Sequence, residues 1–254
     1  MKKIIYFFSL IGLAVGFAGC NKILDQWKPG GGQKKQCSIT KIVQTRNYPF
    51  GSDTRTGLFY YGPNNRLDSV AFDLQGGTGR AQFYYWTYDK NNRLIGYRSE
   101  YARGFYEWRH KYVWKNDKIV TDSAWLQGAG LDTFVIDNFK YDNKGRVIAE
   151  TKRQVYPNQN RPDEPAEIIK YMYNEDGNLI YGQFGEIQNN YDVNVLSYIS
   201  TNPAMQFVFR DFSKNSAYGA IGINAAGLPL GFENNYGLGI FGWGDPKTIE
   251  YNCR

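Results

Sequence analysis

The sequence predicts an all-β protein, an antiparallel meander of repeated β-hairpins. A turn-like heptapeptide recurs six times, and the segments between the copies alternate apolar and polar residues. Aromatic residues make up 17% of the chain, which favours sheets because aromatic side chains pack well on a pleated surface. We expect about a dozen or more strands, curled into an open or closed barrel-like sheet, with a two-sheet sandwich as the alternative.

The first 19 residues predict a lipoprotein signal peptide. Lys2 and Lys3 precede an apolar run from Ile4 to Phe17, too short to span a membrane as a helix. Ala18-Gly19-Cys20 then resembles a lipobox, which implies a diacylglyceryl thioether on Cys20 and an acylated amine. More than one acyl chain gives stable anchoring to a membrane. An ordinary secretory signal with an incidental cysteine is the alternative.

The segment after the lipidation site predicts a tether and one disulfide. Residues 20–36 are polar and contain three consecutive glycines, which is typical of a flexible linker. Beyond it the chain keeps Cys37 and Cys253, and an even pair in an exported protein predicts a disulfide. Strand-like segments at 38–43 and 248–251 adjoin the two cysteines, so the bond would join the first and last strands.

The heptapeptide at 141–147 reads Tyr-Asp-Asn-Lys-Gly-Arg-Val and predicts the tip of a hairpin. Asp at the first turn position suits a type I turn, and Gly145 suits the left-handed backbone that closes it. Asn65 and Asn92 stand at the position of Gly145 in two other copies, and asparagine also tolerates this conformation. The copies begin at Tyr61, Tyr88, Trp114, Tyr141, Tyr173 and Ile223. The last residues of the first five copies recur every 25 to 32 positions, enough for two strands and two turns per unit.

These copies resemble the YD-repeat (Rhs-like) family, and more closely the YD-repeat-like lipoproteins of unknown function of Gram-negative bacteria. The resemblance covers roughly residues 58–232. It implies a single YD-repeat-like β domain, which we expect over residues 37–254. Together with the predicted anchor, it implies an outer-membrane location, lipid-anchored on the periplasmic or the cell-surface side.

One helix is predicted within this sheet-forming chain, over roughly residues 203–211. Thr201 and Asn202 offer a cap, and Pro203 suits the first helical position. Four apolar residues would face the sheet, where the helix should cover one end: Met205, Val208, Phe209 and Phe212. A glycine-rich hairpin is expected over residues 219–244.

The charge of the chain is mildly basic. The formal net charge is +6, and it falls to +4 once Lys2 and Lys3 are removed. No cluster of Lys and Arg with interleaved aromatics stands out along the sequence, so we expect no nucleic-acid partner.

Signals for enzyme chemistry are sparse. His110 is the only histidine, which excludes a metal site with several histidine ligands. We interpret it as a structural or surface residue. Residues 237–242 match G-x-G-x-x-G, but Pro246 breaks the helix that a dinucleotide site needs. Residues 174–178 resemble half a calcium loop without its later glutamate, so a turn is favoured. We expect no metal, no cofactor and no catalytic residues, which leaves enzyme activity open.

Carboxylates and aromatics supply the remaining hypotheses. Glutamates 100, 107, 150, 167 and 186 could form a pair for glycoside hydrolysis. Six aromatic residues could stack on a ligand or a partner chain: Tyr84, Trp86, Trp108, Tyr112, Trp114 and Trp125. Cross-strand packing within the sheet is the alternative explanation for them. The sequence thus favours a non-catalytic, membrane-anchored module that binds glycan or protein, with a purely structural repeat protein or a carbohydrate-active hydrolase as alternatives.

Overall fold

The computed structural model describes residues 36–48, 51–73, 81–101, 107–127, 133–156, 162–183, 185–187, 190–217, 219–233 and 246–254. The predicted signal peptide, the lipidation site Cys20 and the tether up to residue 35 lie outside these ranges. The G-x-G-x-x-G segment at 237–242 also lies outside them.

The main sheet is built from ten consecutive strands and the last one. They are β1 (Cys37–Tyr48), β2 (Gly51–Tyr61), β3 (Leu67–Phe72), β4 (Ala81–Tyr88), β5 (Leu94–Tyr101), β6 (Glu107–Lys115), β7 (Lys118–Gln127), β8 (Thr133–Tyr141), β9 (Val147–Val155), β10 (Glu167–Lys170) and β16 (Thr248–Cys253). Each strand pairs antiparallel with the next, and β16 adds to β1, so the order runs from β10 to β1 and ends at β16. The predicted all-β meander is confirmed, and the sheet is open, with β10 and β16 as its edges.

Two smaller sheets and one helix complete the described structure. The three-stranded sheet contains β11 (Met172–Tyr173), β12 (Leu179–Gly182) and β13 (Gly185–Glu186). The two-stranded sheet contains β14 (Tyr191–Leu196) and β15 (Asn215–Ala217). The α-helix, α1, spans Pro203–Phe209, and short 3-10 turns lie at Pro63–Asn65 and Tyr198–Thr201.

The predicted bends form with the expected chemistry. In the fourth copy the Asp142 backbone N–H donates to the Arg146 carbonyl oxygen at 2.9 Å, and the Gly145 N–H donates to the Asp142 carbonyl at 3.1 Å. The Asp142 carboxylate accepts from the Lys144 and Arg146 N–H groups, both at 2.9 Å. A positive φ follows at the equivalent position of five copies: Asn65, Asn92, Gly145, Gly177 and Gly227. This left-handed backbone explains why only Gly or Asn occupies the position.

The aromatic residue that opens a copy ties its hairpin to the preceding hairpin. Its polar group donates to the carbonyl of the last residue of the preceding copy: Tyr88 to Leu67 at 3.0 Å, Trp114 to Leu94 at 2.6 Å, Tyr141 to Ile119 at 2.6 Å and Tyr173 to Val147 at 2.8 Å. Burial raises the pKa of the Tyr88, Tyr141 and Tyr173 hydroxyls well above the ordinary value, so these groups remain donors.

The basic residue of a copy reinforces the same link. Its charged group lies over the ring that opens the next copy: Arg66 over Tyr88 at 5.3 Å, Arg93 over Trp114 at 5.8 Å, Lys118 over Tyr141 at 4.9 Å and Arg146 over Tyr173 at 4.6 Å. Such contacts contribute about 0.5–1 kcal/mol each at exposed sites. The recurring heptapeptide therefore specifies both a turn and a contact between neighbouring hairpins.

The two ends of the domain meet at a disulfide. Cys37 of β1 and Cys253 of β16 lie opposite each other in the sheet and form the predicted bond, across a sequence separation of 216. Ile39, Ile42 and Ile249, which are buried almost completely, continue the contact between the two strands. The bond therefore closes nearly the whole described chain into one loop.

Helix α1 starts where the sequence predicts and ends two residues earlier. The Asn202 side chain accepts from the Ala204 N–H at 2.9 Å and caps the start, whereas a left-handed Arg210 (φ 55°) ends the helix. The Phe207 ring lies 4.9 Å from Phe139 and 5.5 Å from Tyr112, in the middle strands of the sheet. The helix therefore covers one face, the inner face, and does not plug an end as predicted.

Candidate functional site

The inner face holds most of the aromatics predicted to stack on a ligand. Tyr84, Trp86 and Tyr112 are buried in the core, with at most 5% of each side chain exposed. Trp114 packs against that core, and Trp108 lies on the same side of its strand as Tyr112. Because Tyr84, Trp86 and Tyr112 are buried, they do not form the predicted stacking surface. Their burial agrees with the alternative explanation, packing within the sheet. Alternation shows which residues share a face, but not which face the helix will cover.

Trp125 is the exception, because it lies on the opposite, outer face. On each of the other six strands between β2 and β8, one residue lies in cross-strand register with Trp125. Together the set comprises Tyr60, Ser69, Tyr85, Arg98, Arg109, Trp125 and Phe134, which we name the outer row. Strands lie about 4.8 Å apart, so seven of them give the row a length of about 29 Å.

Exposed rings enlarge one end of the outer row. The Tyr60 side chain is 51% exposed, and Phe83, which flanks the row, is 38% exposed. The Phe83 and Tyr85 rings are stacked, with their centroids 6.4 Å apart and their planes 22° apart. Aromatic rings with accessible faces are suited to stacking on other flat apolar surfaces.

Four basic residues lie on the outer face, two in the outer row and two in the row beside it. Arg98 of β5 lies directly opposite Arg109 of β6. Lys111 and Arg153 belong to the next row of the same face, joined in register through Ser123 and Ile136. We name Arg98, Arg109, Lys111 and Arg153 the basic patch. The sequence analysis found no such cluster, because strand register and not sequence proximity brings these residues together.

The side chain of Arg98 is held between two neighbours. Its guanidinium carbon lies 4.5 Å from the centroid of the Tyr85 ring, and its Nη2 lies 3.6 Å from Glu100 Oε2. The side chains of Arg98 and Glu100 are 41% and 36% exposed, so solvent screens this ion pair and it is weak. A planar, partly ordered guanidinium is suited to bidentate contact with a carboxylate or a phosphate.

A second group of charged residues is buried under α1. Arg210 Nη2 lies 2.8 Å from Asp122 Oδ2 and 3.5 Å from Asp137 Oδ2, and Arg210 Nε lies 3.4 Å from Glu150 Oε2. The three acidic residues come from β7, β8 and β9 and are buried. We name these four residues the arginine cluster.

Neighbouring side chains complete the arginine cluster. His110 Nδ1 lies 3.0 Å from Asp122 Oδ2, and the Tyr171 hydroxyl donates to Glu150 Oε2 at 2.6 Å. Burial alone would raise the pKa of Asp122, but the hydrogen bond from His110 and the charges of His110 and Arg210 hold it below the ordinary value. Burial, followed by the charge of Glu150, raises the pKa of Asp137 to about 7.

The arginine cluster does not have the form of a hydrolytic site. A glycosidase needs two carboxylates on either side of an accessible bond, whereas Asp122, Asp137 and Glu150 share one guanidinium beneath a helix. His110, which contacts Asp122, is half-buried among the rings of Tyr97 and Tyr112. This placement fits the structural interpretation of the histidine, and the cluster joins α1 to the sheet.

Within the described ranges, no group of three or more His, Cys, Asp and Glu side chains is arranged to hold a metal ion. None of the helices in those ranges is long and apolar enough to cross a bilayer. The chain matches no protein-family model and shows no significant similarity to a curated protein.

Proposed function

We propose that this protein is a membrane-anchored, non-catalytic module that binds a glycan on the outer face of its main sheet. The outer row is the single observation that carries the proposal. It offers Tyr60, Tyr85 and Trp125 on one side of a rigid sheet, interrupted by the polar side chains of Arg98 and Arg109. Aromatic faces bind the apolar faces of sugar rings, and guanidinium groups bind their oxygen atoms.

The narrow shape of the outer row favours a glycan over a protein partner. A stable protein interface buries about 800 Å² on each side and has an apolar centre. Beside the middle of the row, the next row carries Gly96, Lys111 and Ser123, which are small or charged. A sugar ring is about as wide as the spacing between neighbouring strands, so successive units of a chain can lie along the row.

The predicted N-terminal features support a location in the bacterial envelope. A signal peptide over residues 1–19 and lipidation of Cys20 would anchor the chain to the outer membrane, on its periplasmic or cell-surface side. A tether over residues 20–36 would let the β domain, which starts at Cys37, stand off the bilayer. The resemblance to YD-repeat-like lipoproteins supports the same location.

Glycan binding can be tested with the purified full-length protein and an array of envelope and extracellular glycans. We expect binding of at least one glycan, weakened at least tenfold by the combined changes Tyr85→Ala and Trp125→Ala. Tyr181→Ala is the matched control, because Tyr181 is 40% exposed but belongs to the small sheet. Binding that is unchanged in the double variant, with its fold verified by circular dichroism, would remove the outer row as the site. An array without any binding would favour the purely structural alternative.

The predicted anchor has a separate test. Cys20→Ser, expressed in a Gram-negative host, should move the protein from the membrane fraction to the soluble periplasmic fraction, because the thioether cannot form. Cys37→Ser is the control, because Cys37 forms the disulfide and not the proposed lipid bond. Membrane association that persists in Cys20→Ser would overturn the lipoprotein assignment.

A further inference from the structure

We infer that the ligand of the outer face is an anionic glycan, whose sugar carboxylates bind the basic patch while its rings lie along the outer row. This inference rests on the proposed glycan binding and specifies the class of sugar. It depends on the positions of Arg98, Arg109, Lys111 and Arg153, which the fold places on one side of three strands, β5, β6 and β9.

The first argument is the direct opposition of Arg98 and Arg109. Residues that face each other on antiparallel strands have their Cβ atoms about 4.5–5.5 Å apart. A carboxylate that lies between the two guanidinium groups can accept hydrogen bonds from both. The register of β5 and β6 therefore brings two forked donors from adjacent strands to one place on the outer face.

The second argument is the partial order of Arg98. The ring of Tyr85 supports its guanidinium at 4.5 Å, which reduces the rotamer freedom that a ligand must restrict. Glu100 lies 3.6 Å away in a solvent-screened contact, so an incoming carboxylate can compete with it at little cost. Tyr85 belongs to the outer row, and its ring holds the guanidinium of Arg98 on that row.

The third argument is the spacing of the basic patch. Lys111 follows Arg109 by two positions on β6, which places it on the same face about 6.8 Å further along the strand. Arg153 lies three strands away from Lys111 on that row, with Ser123 and Ile136 between them. The positive charges lie in two rows and on separate strands. This arrangement suits a polymer that carries a carboxylate on every unit, and it is more than a single small anion needs.

Competing polyanions fit the outer face less well. Single-stranded nucleic acid binds in a positively charged groove that follows its backbone, but the chain has a net charge of only +4 without Lys2 and Lys3. The planar carboxylate of a uronic acid matches the fork of an arginine, and its ring matches the flat faces of Tyr60 and Trp125. The predicted export of the chain also brings it to a compartment rich in glycans.

The experiment measures the affinity of the full-length protein for three uronate polymers, polygalacturonate, polyglucuronate and polymannuronate, each beside its own methyl ester. The ester keeps the sugar backbone and removes the charge. We expect one polymer to bind at least tenfold more tightly than its ester, and its affinity to fall at least tenfold with Arg98→Gln and Arg109→Gln together. Lys90→Gln with Lys170→Gln is the matched control, because both lysines are exposed and the change in net charge is the same.

The outcomes separate the two proposals. Equal binding of polymer and ester overturns the anionic inference and leaves glycan binding intact. Tight binding of a neutral array glycan, with no uronate polymer bound, does the same. Absence of binding to every glycan overturns both. Single-stranded DNA or phosphatidylglycerol vesicles that bind more tightly than any uronate polymer, and lose affinity with the arginine double variant, would replace the inference with a nucleic-acid or lipid site.

Discussion

Arg210 and Asp122, which lie 88 positions apart in the sequence, form an ion pair of 2.8 Å beneath helix α1. Arg210 is the residue whose left-handed backbone ends the helix, so its side chain turns back towards the sheet. There it also reaches Asp137 and Glu150. One residue thus ends the helix and binds three strands, which fixes the position of α1 on the inner face.

Replacement of Arg210 should be the most damaging single change in the domain. Arg210→Met leaves three buried carboxylates without their cation, and removal of one partner of a buried ion pair typically costs about 3–5 kcal/mol. Urea denaturation measures the loss of unfolding free energy. Arg210→Lys, which keeps the charge but not the fork, should lose less. Equal stability of Arg210→Met and the wild type would show that the cluster does not hold the helix.

The raised pKa of Asp137 predicts that the stability of the folded protein depends on pH. Its pKa in the folded protein is about 7, above the ordinary value of 3.8 that applies when the chain is unfolded. Between these values the folded state keeps a proton that the unfolded state has released, so stability falls as the pH rises from about 4 to about 7. The pKa of Asp122 is lowered instead, so its effect lies below this window.

The substitution Asp137→Asn should flatten this dependence. The amide does not titrate, so the fall in stability between pH 4 and pH 7 should be smaller in the variant than in the wild type. Chemical denaturation at a series of pH values measures it. Asp176→Asn is the control, because Asp176 is an exposed turn residue. Identical pH profiles for Asp137→Asn and the wild type would contradict the elevated pKa.

The hydrogen bond between consecutive hairpins predicts a modest loss of stability when it is removed, and the loss should recur from one hairpin to the next. Tyr141→Phe removes the 2.6 Å hydrogen bond to the Ile119 carbonyl and keeps the ring under Lys118. The loss of a single hydrogen bond of this kind costs about 1 kcal/mol. Tyr173→Phe should cost a similar amount, whereas Tyr181→Phe, with its exposed side chain, should cost little. If Tyr141→Phe and Tyr181→Phe were equally stable, the hydroxyl would not be part of the repeat's stability.

The sequence allowed the bends to be predicted because their chemistry is local. Asp142 and Gly145 determine the turn within five residues, and the same pattern at other positions predicted further bends, which form with the same left-handed residue. The tie from Tyr141 to the preceding hairpin could not be predicted this way, because it depends on the length and twist of the strands between two bends. The period of the repeat was its only sequence signal.

The candidate site was harder to predict than the fold, for a related reason. Period-two alternation placed Tyr84 and Tyr85 on opposite faces, but both faces of this sheet carry aromatics. Which of them is buried depends on where α1 packs, and Arg210 determines this through partners on distant strands. Arg98 and Arg109 could have been found from the sequence by aligning β5 and β6 about their connection, since antiparallel pairing places them opposite each other.

Oxidation of Cys37 and Cys253 to the disulfide should stabilise the whole domain. Cys37 and Cys253 close a loop over a sequence separation of 216, and loop-entropy arguments give a stabilisation of at most about 5 kcal/mol for such a length. The double variant Cys37→Ser, Cys253→Ser should therefore unfold at lower urea than the oxidised wild type. The reduced wild type should match the variant, since it also lacks the restraint on the unfolded chain. An oxidised wild type no more stable than its reduced form would contradict a stabilising role for the bond.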